Sequence, residues 1–179
     1  MPRLCPRPGP GRLTGGGMKT LPFILAGVFL ISPMPATAEH AAGPAFLSFT
    51  FDGASIQFGP DRAGMTRFAM LDAISLEGVA DRARLVVKFA LPPEAGLDAH
   101  PLDARVTYRP DGFADFWQSI DAPGPGAFVF DAVQLSGPGP RVAGRFEVTL
   151  CRRASVMVQA DRSDCRAAKG AFATELQID

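Results

Sequence analysis

The residues on either side of Asp52-Gly53 constrain this chain more than any others. They read Phe46-Leu47-Ser48-Phe49-Thr50-Phe51, then the Asp-Gly pair, then Ala54-Ser55-Ile56-Gln57-Phe58. Asp-Gly supplies two consecutive positive-φ residues, which a type I′ turn needs, and that turn has the twist of paired strands. A two-residue turn fixes the register: Phe51 faces Ala54, Phe49 faces Ile56 and Leu47 faces Phe58. Every apolar side chain of the set then falls on one face, with Ser48, Thr50, Ser55 and Gln57 on the other. Turn chemistry and side-chain period give the same hairpin.

The same period recurs downstream. Leu85, Val87, Phe89 and Leu91 alternate with Arg84, Val86 and Lys88 until Pro92-Pro93, which cannot donate to a ladder. Val106 and Tyr108 lead into Arg109-Pro110-Asp111-Gly112, a turn signal that predicts a second hairpin into Phe113–Ile120. Residues 122–126 and 137–140 are Gly/Pro breaks, and between them 128–135 reads as a strand. Phe146, Val148 and Leu150 point inward from 142–151, and Phe172, Leu176 and Ile178 share one side of a final strand at 171–178. Residues 59–80 are ambiguous: Phe68, Met70, Ile74 and Leu76 fit a strand period, while Met65, Phe68, Leu71 and Ile74 could line a helix. Strands at 66–71 and 73–79 are the preferred reading. The total is eight or nine short strands, an all-β domain built as one antiparallel sandwich or a partly closed barrel.

The N-terminus carries a different kind of signal. From Met18 the chain reads MKTLPFILAGVFLISPMPATA: a lysine, an apolar run from Leu21 to Ile31, then Ala36-Thr37-Ala38. That is the order of a secretory signal peptide, with cleavage expected after Ala38. The apolar run is shorter than the roughly 20 residues a membrane-spanning helix needs, and it contains Pro22. Residues 1–17, rich in Pro, Gly and Arg, cannot bury enough surface to order themselves; they are either an unusually long n-region or lie ahead of the true start, and a start at Met18 is preferred because Met18-Lys19 alone makes a complete signal peptide. Cys5 precedes the apolar run, where no lipid anchor is attached. The expected domains are therefore 1–38, an extension and signal that are removed, and 39–179, the β domain.

Processing changes the charge. Arg3, Arg7, Arg12 and Lys19 leave with the first 38 residues, so fourteen cations remain against eighteen acids, a formal charge of −4. Of the lysines only Lys88 and Lys169 are left, and the arginines are scattered. This argues against nucleic acid as a partner, because phosphate binding needs clustered cations. It also disfavours attachment to anionic lipid, and no transmembrane segment is expected in the mature chain. At 141 residues the domain buries enough surface to fold without a metal.

Cys151 and Cys165 are the two cysteines of the expected mature chain, and in an exported protein they pair most simply with each other. The bond closes a loop of about fifteen residues, worth about 3 kcal/mol on the chain-entropy model. The enclosed segment, with Arg152-Arg153 and Asp161-Arg162-Ser163-Asp164, reads as a polar excursion. The spacing is far from the C-x-x-C of redox-active pairs.

Chemistry-bearing constellations are sparse. His40 lies beside the cleavage site and His100 in a proline-broken loop, with no H-x-H or H-E-x-x-H spacing for a metal. Asp161 and Asp164 make a poor calcium cage with arginines on both sides. There is no G-x-S-x-G elbow, and the Gly clusters are interleaved with Pro, which lacks the N–H that phosphate loops supply. No cofactor is expected. The densest candidate ligand patch is aromatic: Tyr108, Phe113, Phe116 and Trp117 crowd one hairpin with Arg109 and Gln118. Tyr108, Arg109 and Trp117 are its candidate ligand-binding residues, although Phe113 and Trp117 share one face and Phe116 the other, so part of the set serves the core.

The C-terminal third, G-R-F-E-V-T-L-C at 144–151 followed by D-C at 164–165 and G-A-F-A-T at 170–174, resembles the terminal strands of uncharacterised exported bacterial β-sandwich proteins. The resemblance implies a fold and a periplasmic or secreted location, and no activity. The expected function is a non-enzymatic exported domain that binds a protein partner or small ligand, or serves as an accessory of the cell envelope. The alternative is a hydrolase-like enzyme whose carboxylates the sequence does not single out.

Overall fold

A computed structural model describes residues 45–112, 115–124 and 126–179. The signal segment, its cleavage site, Cys5, His40 and Phe113 lie outside those residues. Among the described residues ten strands follow one another: β1 (Phe46–Phe51), β2 (Ala54–Arg67), β3 (Asp72–Ala80), β4 (Ala83–Leu91), β5 (Leu102–Arg109), β6 (Phe116–Gln118), β7 (Ala127–Gln134), β8 (Arg141–Arg153), β9 (Asp161–Glu175) and β10 (Gln177–Ile178). No described helix is long and apolar enough to cross a membrane.

The strand order β1-β9-β8-β6-β5-β4-β3-β2 closes on itself, because β1 uses both edges, pairing β2 on one side and β9 on the other. The result is an eight-stranded antiparallel barrel, a closure that leaves few exposed edges. Two strands supplement it. β7 shares one edge of β8 with β6, which takes Cys151–Arg153 while β7 takes Arg141–Glu147. β10 lies parallel to β2 at Gly64 and Met65.

The first hairpin has the register that its sequence requires, Phe51 opposite Ala54, Phe49 opposite Ile56 and Leu47 opposite Phe58. Asp52 and Gly53 take φ of 52° and 80°, both in the left-handed region. β5 and β6 are likewise antiparallel neighbours, with Tyr108 opposite Trp117, though β6 is only three residues long.

Three boundaries differ from expectation. β2 runs on to Arg67, passing Pro60 at a bulge, where a missing N–H is tolerated. Residues 68–71 are the turn, closed by the Phe68 N–H donating to the Leu71 carbonyl, so Phe68 and Met70 are exposed instead of inward. The last long strand starts at Asp161, ten residues early, and breaks at Leu176, whose N–H donates to the Pro140 carbonyl. Beyond that break Ile178 is exposed and does not join Phe172 and Leu176 in the core.

Aromatic rings fill the interior as two groups. Phe49, Phe51, Phe58, Tyr108 and Trp117 form one, with Phe49 4.8 Å from Tyr108 and Phe51 4.9 Å from Trp117 between centroids. Phe89, Phe128, Phe130 and Phe172 form the other, with Phe89 5.5–5.8 Å from its three neighbours. Phe146 bridges them, 6.4 Å from Phe49 and 5.6 Å from Phe128. Its ring lies over Gly170, its cross-strand partner, where a Cβ would sit 2.5 Å from the ring. Small residues opposite large ones fit side chains into so narrow a barrel.

The outward positions between these residues carry Glu77, Lys88, Arg105, Arg145, Glu147 and Lys169. An apolar inside and a charged outside invert the pattern of a barrel that spans lipid. Among the described residues one charge points inward: Asp72, 1% exposed, lies 3.5 Å from Arg67 Nε, and Arg67 Nη2 donates to the Leu135 carbonyl at 2.7 Å. That bridge ties β2 and β3 to the chain leaving β7, and removing the arginine would leave a buried carboxylate uncompensated.

Candidate functional site

Because neighbouring strands alternate in direction, the turns at 52–53 and 81–82, residues 110–112 and 115, and the loop 154–160 gather at one end of the barrel. Cys151 and Cys165 stand at this end as direct cross-strand partners on β8 and β9, joined by a disulfide with Cα atoms 4.0 Å apart. The expected pairing is present. Beyond it the ladder continues for a single pair, Arg152 with Asp161, after a register shift.

At the same end charged side chains form a chain of alternating sign. Arg166 pairs with Asp52 across from the first hairpin and lies 3.5 Å from Asp164, which lies 3.9 Å from Arg152, itself hydrogen-bonded to Asp115. Arg153 donates from Nη1 to Gln118 Oε1 at 2.9 Å and reaches Asp121 at 3.4 Å. The hydrogen bond from Arg152 to Asp115, reinforced by charge attraction, raises the guanidinium pKa further. Asp161 is held below the usual carboxylate range by the Ser163 hydroxyl and backbone N–H, which donate to it at 2.6 and 2.9 Å. Asp161 and Asp164, weighed above as calcium ligands, are thus engaged by a serine and by arginines. Among the described residues no group of three or more His, Cys, Asp or Glu converges.

The predicted aromatic patch divides between inside and outside. Tyr108 and Trp117 turn into the core, 6% and 8% exposed, because their cross-strand pairing puts both on the barrel's inner face. Phe116 is buried outside the main core with the Arg109 guanidinium 5.2 Å above its ring. Arg166 covers Trp117 from the rim at 4.8 Å. Of the three candidate ligand residues, only Arg109 keeps a charged group on the outer wall.

Burial raises the Tyr108 hydroxyl pKa. Since Tyr108 is the only tyrosine in the chain, phenolate absorbance reports it alone. The folded protein is expected to titrate above the unfolded chain. A raised acid favours the neutral form in the fold, so its contribution is complete below the unfolded pKa and declines as pH rises past it. Coincident titration curves in native buffer and in denaturant would contradict this.

Two outer features remain. A shallow groove of about 440 Å³ lies on the wall of β1, β8 and β9, lined by Thr50, Asp52, Glu147, Thr149 and Lys169. The second is the loop between β8 and β9. Its tip is Val156-Met157-Val158, with 67%, 91% and 51% of each residue exposed. The segment read as a polar excursion therefore has polar flanks and an apolar tip. The run Ser-Val-Met-Val was visible in the sequence, but nothing there distinguished an exposed tip from a short buried strand.

The described residues form a small closed antiparallel barrel, aromatic inside, with one cystine-stapled end. No family model matches the chain, and no curated protein or solved structure does either.

Proposed function

We propose that this chain is exported and acts without catalysis, as a binding or accessory domain of the cell envelope that engages a protein partner from its outer surface. One observation carries the reading: aromatic side chains occupy the barrel interior, leaving the outside as the place to bind. An eight-stranded barrel either fills its interior with side chains or holds a ligand there, and this interior is lined by Phe49, Phe89, Phe146 and Phe172, each at most 2% exposed. Export is supported by the signal-like segment ending at Ala38 and by a cystine, which persists in oxidising compartments. The hydrolase alternative needs two carboxylates poised over a cleft. The acids around the disulfide are instead bound to arginines, and Asp72 faces the closed interior.

The test is gentle isolation of the chain from the envelope fraction of its native host. The expected product starts at Glu39, is lighter by two hydrogens than the reduced chain, and sediments with a second polypeptide. A chain retaining residues 18–38 with free thiols would remove the export claim. A processed chain sedimenting alone would remove the partner claim.

A further inference from the structure

We infer that Val156, Met157 and Val158 form a docking tip that inserts into an apolar cleft of a partner protein, an assignment that rests on the binding function proposed above. The three side chains are consecutive and project from the stapled end of the barrel. An exposed apolar group rimmed by polar residues is the usual composition of an interface centre, and here Ser155, Gln159 and the ion-paired Arg152 and Arg153 make the rim.

The tip is prepared for losing its water. The Val158 N–H donates to the Ser155 carbonyl at 3.2 Å, and the Met157 N–H donates to Ser155 Oγ at 3.3 Å. Burial in a cleft therefore does not orphan those two donors. The base is held by the disulfide and by the contacts of Arg152 with Asp115 and of Arg153 with Gln118. A loop already clamped loses less freedom on binding, and methionine adapts to the shape of what it meets.

Charge decides what kind of partner fits. Arg152, Arg153 and Arg166 each face an aspartate, and among the described residues only the exposed Arg162 on β9 adds a cation beside the loop with no ion pair. One such cation is no belt for anionic headgroups, and residues 154–160 contain no lysine, arginine or aromatic residue. Bilayer-inserting segments rely on those residues. A second copy of the chain fits poorly as well. The groove that a second copy offers, on β1, β8 and β9, is lined by the charged Asp52, Glu147 and Lys169, which suit an apolar tip poorly. A cleft in another polypeptide, apolar in the middle and uncharged overall, remains.

The experiment uses the processed chain with a benzophenone amino acid at position 157 or, as a control on the barrel wall, at position 129. Each is irradiated in envelope extract. A discrete adduct with one polypeptide is expected from position 157 and none from position 129. That polypeptide, purified, should bind the Met157→Asp variant at least tenfold more weakly than the parent, with little dependence on salt. The variant's melting temperature should match the parent's, because the side chain is exposed. Adducts with lipid, or co-sedimentation of the parent but not the variant with phosphatidylethanolamine/phosphatidylglycerol vesicles, would overturn the assignment in favour of a membrane. Adducts between two copies would overturn it in favour of self-association. Equal adducts at both positions, none at all, or tight binding by Met157→Asp would also overturn it. In that last case the complex itself survives and the proposed function stands, which separates the two failures.

Discussion

Phe146→Ala is expected to destabilise the barrel by about 3–5 kcal/mol, a large share of the roughly 5–15 kcal/mol available to a domain. The ring is 1% exposed and is the bridge between the two aromatic groups, touching Phe49 on one side and Phe128 on the other. Truncation opens a cavity where neither group can follow, since both are held by their own strands. Gly170 supplies the control. Gly170→Ala in the parent should be destabilising by about 1–3 kcal/mol, because its Cβ meets the Phe146 ring and the Ser48 carbonyl, each at 2.5 Å. In the Phe146→Ala background the ring is gone and only the carbonyl remains. The second substitution should then be milder, and urea denaturation of the four proteins should show less than additive losses. Strict additivity would mean that the ring and the glycine do not share one site.

Replacing both Cys151 and Cys165 by alanine is expected to remove about 3 kcal/mol, within a range of 2–5 kcal/mol, and to lower the melting temperature by roughly 10 °C. The bond closes the loop that holds the tip, and past it only Arg152 and Asp161 remain paired. Amide exchange should accordingly rise first in residues 152–164, while Phe49 and Phe172 in the core stay protected. An unchanged melting temperature, or exchange that rises evenly over the barrel, would show that the ion pairs hold this end without the disulfide.

How much of this could be read in advance depended on where the deciding interaction lay. The Asp52-Gly53 hairpin was legible because turn type, register and apolar face are all set by residues within a few positions of one another. The disulfide was legible because the expected mature chain has only two cysteines. The start of β9 was not, since Ala167, Ala168 and Gly170 show no apolar alternation. They line a strand only because Phe146 and its neighbours lend them the bulk they lack. The aromatic patch was legible as a cluster but not as a surface. Pairing Tyr108 with Trp117 across β5 and β6 turned both inward and left Arg109 and Phe116 outside.

By itself the sequence determined an all-β chain, its first hairpin and its cystine, because side-chain period, turn chemistry and cysteine number act locally. Tertiary structure alone decided that the sheet closes. Closure follows from β1 pairing on both edges, with β2 beside it in sequence and β9 more than a hundred residues away. It also decided that Val156–Val158 face solvent, because whether an apolar run is covered depends on what the rest of the chain brings to it.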